Sequence, residues 1–225
     1  MKWIKDSSMK KINISQNQLT SISFYLGLIF TGVPFLSQLF MSSTPDQGTH
    51  IFTYYANELI LNKNLSLFNS LFSFLGSAMI AYGVFSLNQL LQTKVKNPLM
   101  NFSVFLFVFS SLGFIISRSQ DLIIIWGSAS ESSKHMMFEF ALIFSFGIFY
   151  WIGIGLFAFC LYVDKFLNKN FLMALSILSV VNVFLIVFTI FNVDPYDIST
   201  VKPLYTGFTI GNTLLLIFCF MSERN

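Results

Sequence analysis

Arg118 and Asp121 stand three residues apart, and His135 and Glu139 stand four apart. On a helix either spacing puts both side chains on one face, where Arg118 and Asp121 can pair. Both pairs sit at the ends of long uncharged runs. Ionisable groups at membrane depth are costly and mark a site by default. At headgroup level they form only a stabilising ion-pair belt, which is the commoner arrangement. Arg118, Asp121, His135 and Glu139 are therefore the candidate ligand-binding residues, in a polar cleft between the third and fourth spans. Asn69 joins them as a candidate, as does Asn182. An asparagine inside a span more often bonds across helices than to a ligand.

His50 and His135 are the only histidines, and Met136 follows the second. Imidazole and thioether suit copper, and two histidines can hold haem. The chain has no HxxxH, no CxxC and no array of methionines, so an absent cofactor is the simpler expectation. Cys160 and Cys219 are flanked by Phe and Leu and read as inert buried thiols. No serine sits in a GxSxG motif, and no P-loop or GxGxxG fingerprint occurs. No catalytic residue is expected, and enzyme activity by this chain alone is not expected.

These groups hang on six windows free of charge: Ile12–Pro45, Asn64–Thr93, Asn97–Ser117, Phe140–Val163, Asn170–Val193 and Pro203–Ser222. A bilayer core of about 30 Å needs about 20 apolar residues in a helix. The chain is 10% charged, against roughly 25% in soluble domains. The expected fold is all-α, a polytopic transmembrane bundle of about six helices. Residues 1–19 form a cytoplasmic tail, with a short interfacial helix over Lys2–Lys11. Residues 20–222 form the membrane domain. An amphipathic segment at about residues 49–62 mixes Ile51, Tyr54, Tyr55, Glu58 and Leu59, and roofs the outer side. The third span reads as one long helix to about Gly127, with Arg118–Asp121 as a polar notch. The first is a retained helix, longer than a signal peptide's apolar region.

Nine of the 13 basic residues fall on one side of such a bundle and four on the other. The positive-inside rule then puts both termini in the cytoplasm, as in a multi-pass protein of the cell membrane. The basic N-terminus suits anionic lipid and is no nucleic-acid signal. Ser73, Ser77 and Ala81 form a small-residue ridge, and Gly207 and Gly211 a GxxxG pair. Both suit close helix packing, within the chain, with a second copy or with another membrane subunit.

The stretch Asn57–Phe68, the Arg118–Asp121 notch with Leu122 and three isoleucines after it, and the run Phe146–Leu156 leading to Tyr162 and Lys165 form a pattern. It resembles a family of prokaryotic six-helix membrane proteins described only as a numbered domain of unknown function. The resemblance spans about residues 20–220 and implies a fold without an activity. Two functions from different classes follow from the residues. One is a non-catalytic accessory subunit of a membrane complex, such as a membrane-bound enzyme. The other is binding or transport of a small molecule through the outer cleft, with copper or haem binding as a further alternative.

Overall fold

A computed structural model describes residues 15–41, 45–93, 96–127 and 131–223. The expected Lys2–Lys11 helix, Lys94 and Arg224 lie outside them. Among the described residues seven α-helices follow in order: α1 (Gln16–Met41), α2 (Ile51–Leu61), α3 (Lys63–Gln92), α4 (Pro98–Trp126), α5 (Ser132–Val163), α6 (Lys169–Asn192) and α7 (Lys202–Glu223). A 3-10 turn, Ile198–Thr200, stands before α7. Helices α3 to α7 are each long and apolar enough to cross a membrane. The chain is a polytopic, all-α membrane protein. Helix α1 is 26 residues long and carries no charge.

Six long helices run up and down as a ring. Helix α1 packs on α3, α3 on α4, α4 on α5, α5 on α6 and α6 on α7, and α7 returns to α1. The interior of the ring is filled by Phe24, Phe107, Trp151, Phe157 and Phe218, all 4% exposed or less. The void beside Phe107, Phe157 and Phe218 is about 10 Å³, room for no more than one water. Outward-facing residues stay apolar: Phe184, Phe188 and Phe191 form a stripe on α6. That is the composition of a surface facing lipid tails.

Two features set the distances between helices. A Cβ at Gly76 of α3 would lie 2.8 Å from the Thr31 nitrogen of α1, and one at Gly153 of α5 would lie 2.7 Å from the Phe107 nitrogen of α4. These contacts are with backbone, so only glycine permits the approach. The α3 face that meets α1 therefore carries Gly76, Ile80 and Gly83, with Gly83 against Phe24. Of the expected ridge, Ala81 is buried while Ser73 and Ser77 are half-buried. Gly207 and Gly211 are buried inside the chain, against Asn182 of α6 and, for Gly211, Trp151 of α5.

Local chemistry starts and stops the helices. The Asn97 side chain accepts from the Leu99 and Met100 nitrogens, and Pro98 occupies the first helical position of α4. Asn168 caps α6 in the same way. Lys165 takes a left-handed φ of 56° after α5. Phe166 N–H then reaches the Leu161 carbonyl and Lys165 N–H the Tyr162 carbonyl, closing the helix end. Loss of such a cap costs about 1 kcal/mol. Asn97→Ala should therefore lower the unfolding midpoint in detergent by a few degrees, while Asn97→Asp or Asn97→Ser should hold it. Equal midpoints for Asn97→Ala and the parent would mean that Gln92, which bonds both the Asn97 nitrogen and its carbonyl, sets this turn alone.

Helix α2 lies across one end of the ring. Only Asn62 separates it from α3, and that residue caps both. Its apolar side, Ile51, Phe52 and Ala56, packs on Ile124 of α4, Met136 of α5 and Val201 before α7. Its first nitrogen, on Ile51, donates to the Pro195 carbonyl in the α6–α7 loop.

Candidate functional site

Ser70 and Glu139 are each the eighth residue of their helix, α3 and α5, counted from the end that α2 covers. Asp121 is the sixth from the matching end of α4. At 1.5 Å rise per residue these positions lie at a common depth of about 10 Å below the helix ends. The side chains meet there. Arg118 Nη1 donates to Glu139 Oε1 at 3.1 Å and lies 3.8 Å from Asp121 Oδ2. Ser70 Oγ donates to the same Asp121 Oδ2 at 2.7 Å. Asp121 and Glu139 thus face the same guanidinium nitrogen from α4 and α5. Ser117 Oγ donates to the Glu139 carbonyl, tying α4 to α5 at this level.

The three charged groups differ in exposure. The Asp121 and Glu139 side chains are 4% and 2% exposed, and Arg118 is 37% exposed. The guanidinium thus reaches inward from the rim, its stem lying along the surface of the bundle. Two oxygens of the cluster have no hydrogen-bond partner among the described residues: Asp121 Oδ1 and Glu139 Oε2. Buried polar atoms are nearly always satisfied, so each such orphan calls for a cause.

Above the cluster, Gln120 and His135 are in contact, Gln120 Oε1 to His135 Nδ1 at 3.1 Å. His135 also borders a cleft of about 190 Å³, with Ile123, Gly127, Glu131 and Ser132. Glu131 is ion-paired to Lys134 at its edge. The cleft opens at the α2 end, and His135 stands one helical turn above Glu139 on α5. On the other flank, Tyr205 of α7 lies near enough to Arg118 and Glu139 to feel their charge. The Tyr205 ring is 6.2 Å from both Tyr55 of α2 and Phe140. Burial pushes the Tyr55 phenol up, and the hydrogen bond it takes from Tyr205 offsets part of that rise. Tyr205 therefore links the roof to the electric field of the cluster.

The structure brings together Arg118, Asp121 and Glu139 and sets His135 next to them. It places Asn69 elsewhere. That side chain accepts from Ser37 Oγ of α1 at 2.9 Å, while its neighbour Ser70 turns to α4 and enters the cluster. Sequence reasoning missed Ser70, Ser117, Gln120 and Tyr205. The available signal was depth, since Ser70 lies as far into α3 as Glu139 does into α5.

The three candidate metal ligands have separate environments. His50 Nδ1 caps α2, accepting from the Thr53 nitrogen, and its ring meets Phe52 and Tyr196. His135 is held by Gln120, and Met136 is buried under α2 among apolar side chains. Among the described residues no group of three His, Cys, Asp or Glu is placed to hold a metal ion. Asn182 is fully buried against Gly207 and Gly211, and neither of its amide atoms has a partner among the described residues. No family model, curated protein or solved structure matches the chain.

Proposed function

We propose that this integral membrane protein binds one small monovalent cation at Asp121 and Glu139, reached from the cleft beside His135. The observation that carries this reading is the mismatch of charge. Two buried carboxyls face one guanidinium, and each carboxyl has an oxygen without a hydrogen-bond partner among the described residues. A buried carboxylate needs a paired charge, and a second positive charge would complete the set. A hard cation or a protonated amine suits carboxylate and hydroxyl oxygens. Ser70 Oγ supplies the hydroxyl. Beyond Glu139 the ring is packed with aromatic rings, which favours binding over conduction.

An accessory subunit remains the second reading. The exposed phenylalanines of α6 support it, because a partner helix could cover them, but lipid tails suit the same surface. The cleft reading has the more specific chemistry.

The test is the unfolding midpoint of the purified full chain in NaCl, KCl or ethylammonium chloride, against choline chloride at equal ionic strength. A ligand at 100 times its Kd stabilises the folded state by about 2.7 kcal/mol. One of the three salts should raise the midpoint by several degrees over choline, and Glu139→Gln should remove the difference. Identical midpoints in all four salts would overturn the reading.

A further inference from the structure

We infer that α7 is built to hinge between Gly207 and Gly211, with the Asn182 side chain of α6 taking over the backbone hydrogen bond that the hinge opens. The hinge rests on packing and hydrogen bonding alone. Its use as a way into the cation site rests on the cation-binding reading.

Asn182 is fully buried, and neither its Oδ1 nor its Nδ2 has a partner among the described residues. Both atoms are aimed at α7. Oδ1 lies against the place of a Gly207 Cβ, and Nδ2 lies 2.7 Å from the place of a Gly211 Cβ. Those glycines stand four apart in one continuous helix, so the Gly207 carbonyl accepts from the Gly211 N–H. The amide therefore lies across the turn that this one bond closes. It has an acceptor end and a donor end, the complement of the N–H and carbonyl that an opened bond sets free. A half-turn about its last torsion puts Nδ2 toward the Gly207 end and Oδ1 toward the Gly211 end. Glycine has no Cβ to hold the amide off. Helices kink where a side chain enters the backbone ladder in this way.

The flanks of the glycine pair favour bending as well. Thr206 Oγ1 donates to the Lys202 carbonyl, and Thr213 Oγ1 donates to the Thr209 carbonyl. Hydroxyls that bond back to their own helix bend it. An amide entering from the ring interior lengthens that face of α7, so the helix ends turn outward. Trp151 of α5 backs Gly211, which leaves the outer segment, residues 202–206, as the part that swings toward lipid. Val201, just before it, packs under α2. The Tyr205 ring meets Tyr55 of α2 and Phe140 of α5. The swing therefore parts α7 from the roof beside Phe140, the neighbour of Glu139.

Thiol labelling of the full chain in detergent tests the hinge. Val201 is 1% exposed, so Val201→Cys should react with a charged methanethiosulfonate only as fast as the outer segment opens. Peptide mass spectrometry separates that label from any on Cys160, which is buried in α5 and gauges opening of the whole bundle. Asn182→Leu keeps the number and branching of side-chain atoms but removes the amide. It should slow labelling at position 201 about tenfold, because the open state loses two hydrogen bonds, and leave Cys160 unchanged. Thr206→Val, on the exposed side of α7, should slow it about threefold by removing one backbone-bonding hydroxyl. That variant decides the matter if Asn182→Leu fails to fold. Labelling at position 201 that no folded variant slows would overturn the inference. So would a slowing matched at Cys160, which would be global stabilisation. Asn182-dependent labelling that NaCl, KCl and ethylammonium chloride leave unchanged would keep the hinge and remove its part in cation entry.

Discussion

Arg118→Met should be among the most damaging single substitutions in the chain. Removing one partner of a buried ion pair leaves the other charge desolvated and costs about 3–5 kcal/mol. The low end, about 3 kcal/mol, applies here because Arg118 is 37% exposed, so water or headgroups can reach part of the gap. The carboxyls have no such relief at 4% and 2% exposure. The double variant Arg118→Met, Glu139→Gln should recover part of the loss. It removes one of the two carboxyls that the guanidinium faces and leaves Asp121 with its Ser70 hydrogen bond, and groups in one network couple by about 0.5–3 kcal/mol. Glu139→Gln alone should cost less than Arg118→Met, since Arg118 keeps Asp121 beside it at 3.8 Å. The measurement is the unfolding midpoint of parent, both single variants and the double variant in one detergent. Strict additivity would mean that the cluster is an independent set of surface groups, the interfacial belt, rather than one site.

How far this arrangement is legible in sequence depends on which physical signal each part leaves. Span-length windows without charge leave a strong signal, and they fall on α1 and on α3 to α7. Lipid imposes that composition whatever the helices do next. The amphipathic segment at about residues 49–62 overlies α2, because a helix with one apolar side repeats every three to four residues. Arg118, Asp121 and Glu139 stand out because charge is rare inside such windows. Helix rotation leaves almost no trace. Asn69 and Ser70 are adjacent polar residues on α3, and one residue is about 100° of turn. Composition cannot say which of them faces α4, and the structure assigns Ser70 to the cluster and Asn69 to α1. The α3 ridge follows the same logic. Ser73, Ser77 and Ala81 make a plausible face, and so do Gly76, Ile80 and Gly83, a rotation away. Only the position of the α1 backbone against Gly76 separates them. Tyr205 was invisible for a different reason: it lies 66 residues from Glu139 and arrives through the closure of the ring by α7.

Gly153→Val should be the second large effect, with Gly32→Ala as its opposite. A Cβ at position 153 would lie 2.7 Å from the Phe107 nitrogen and 2.9 Å from the Ser103 carbonyl oxygen, both on the backbone of α4. Backbone cannot swing aside as a side chain does, so α4 and α5 would have to separate along their length. Overpacking a tight core costs about 1–3 kcal/mol and occasionally more. Valine, branched at Cβ, should reach about 3 kcal/mol at this crossing. Gly32 of α1 has nothing within 4 Å of where a Cβ would stand, so alanine there should act through helix propensity alone and gain about 0.5–1 kcal/mol. Both glycines lie inside helices of the same bundle, and the weaker helix propensity of valine accounts for at most about 0.7 kcal/mol of the difference between the two variants, so the remainder is packing. Midpoints in detergent for the two variants and the parent supply the comparison. A Gly153→Val protein as stable as its parent would show that α4 and α5 do not touch at Phe107. The helix pair that carries Arg118 and Glu139 would then lack its fixed spacing. The Arg118 Nη1 to Glu139 Oε1 contact needs that spacing, because it is made from opposite sides of this pair.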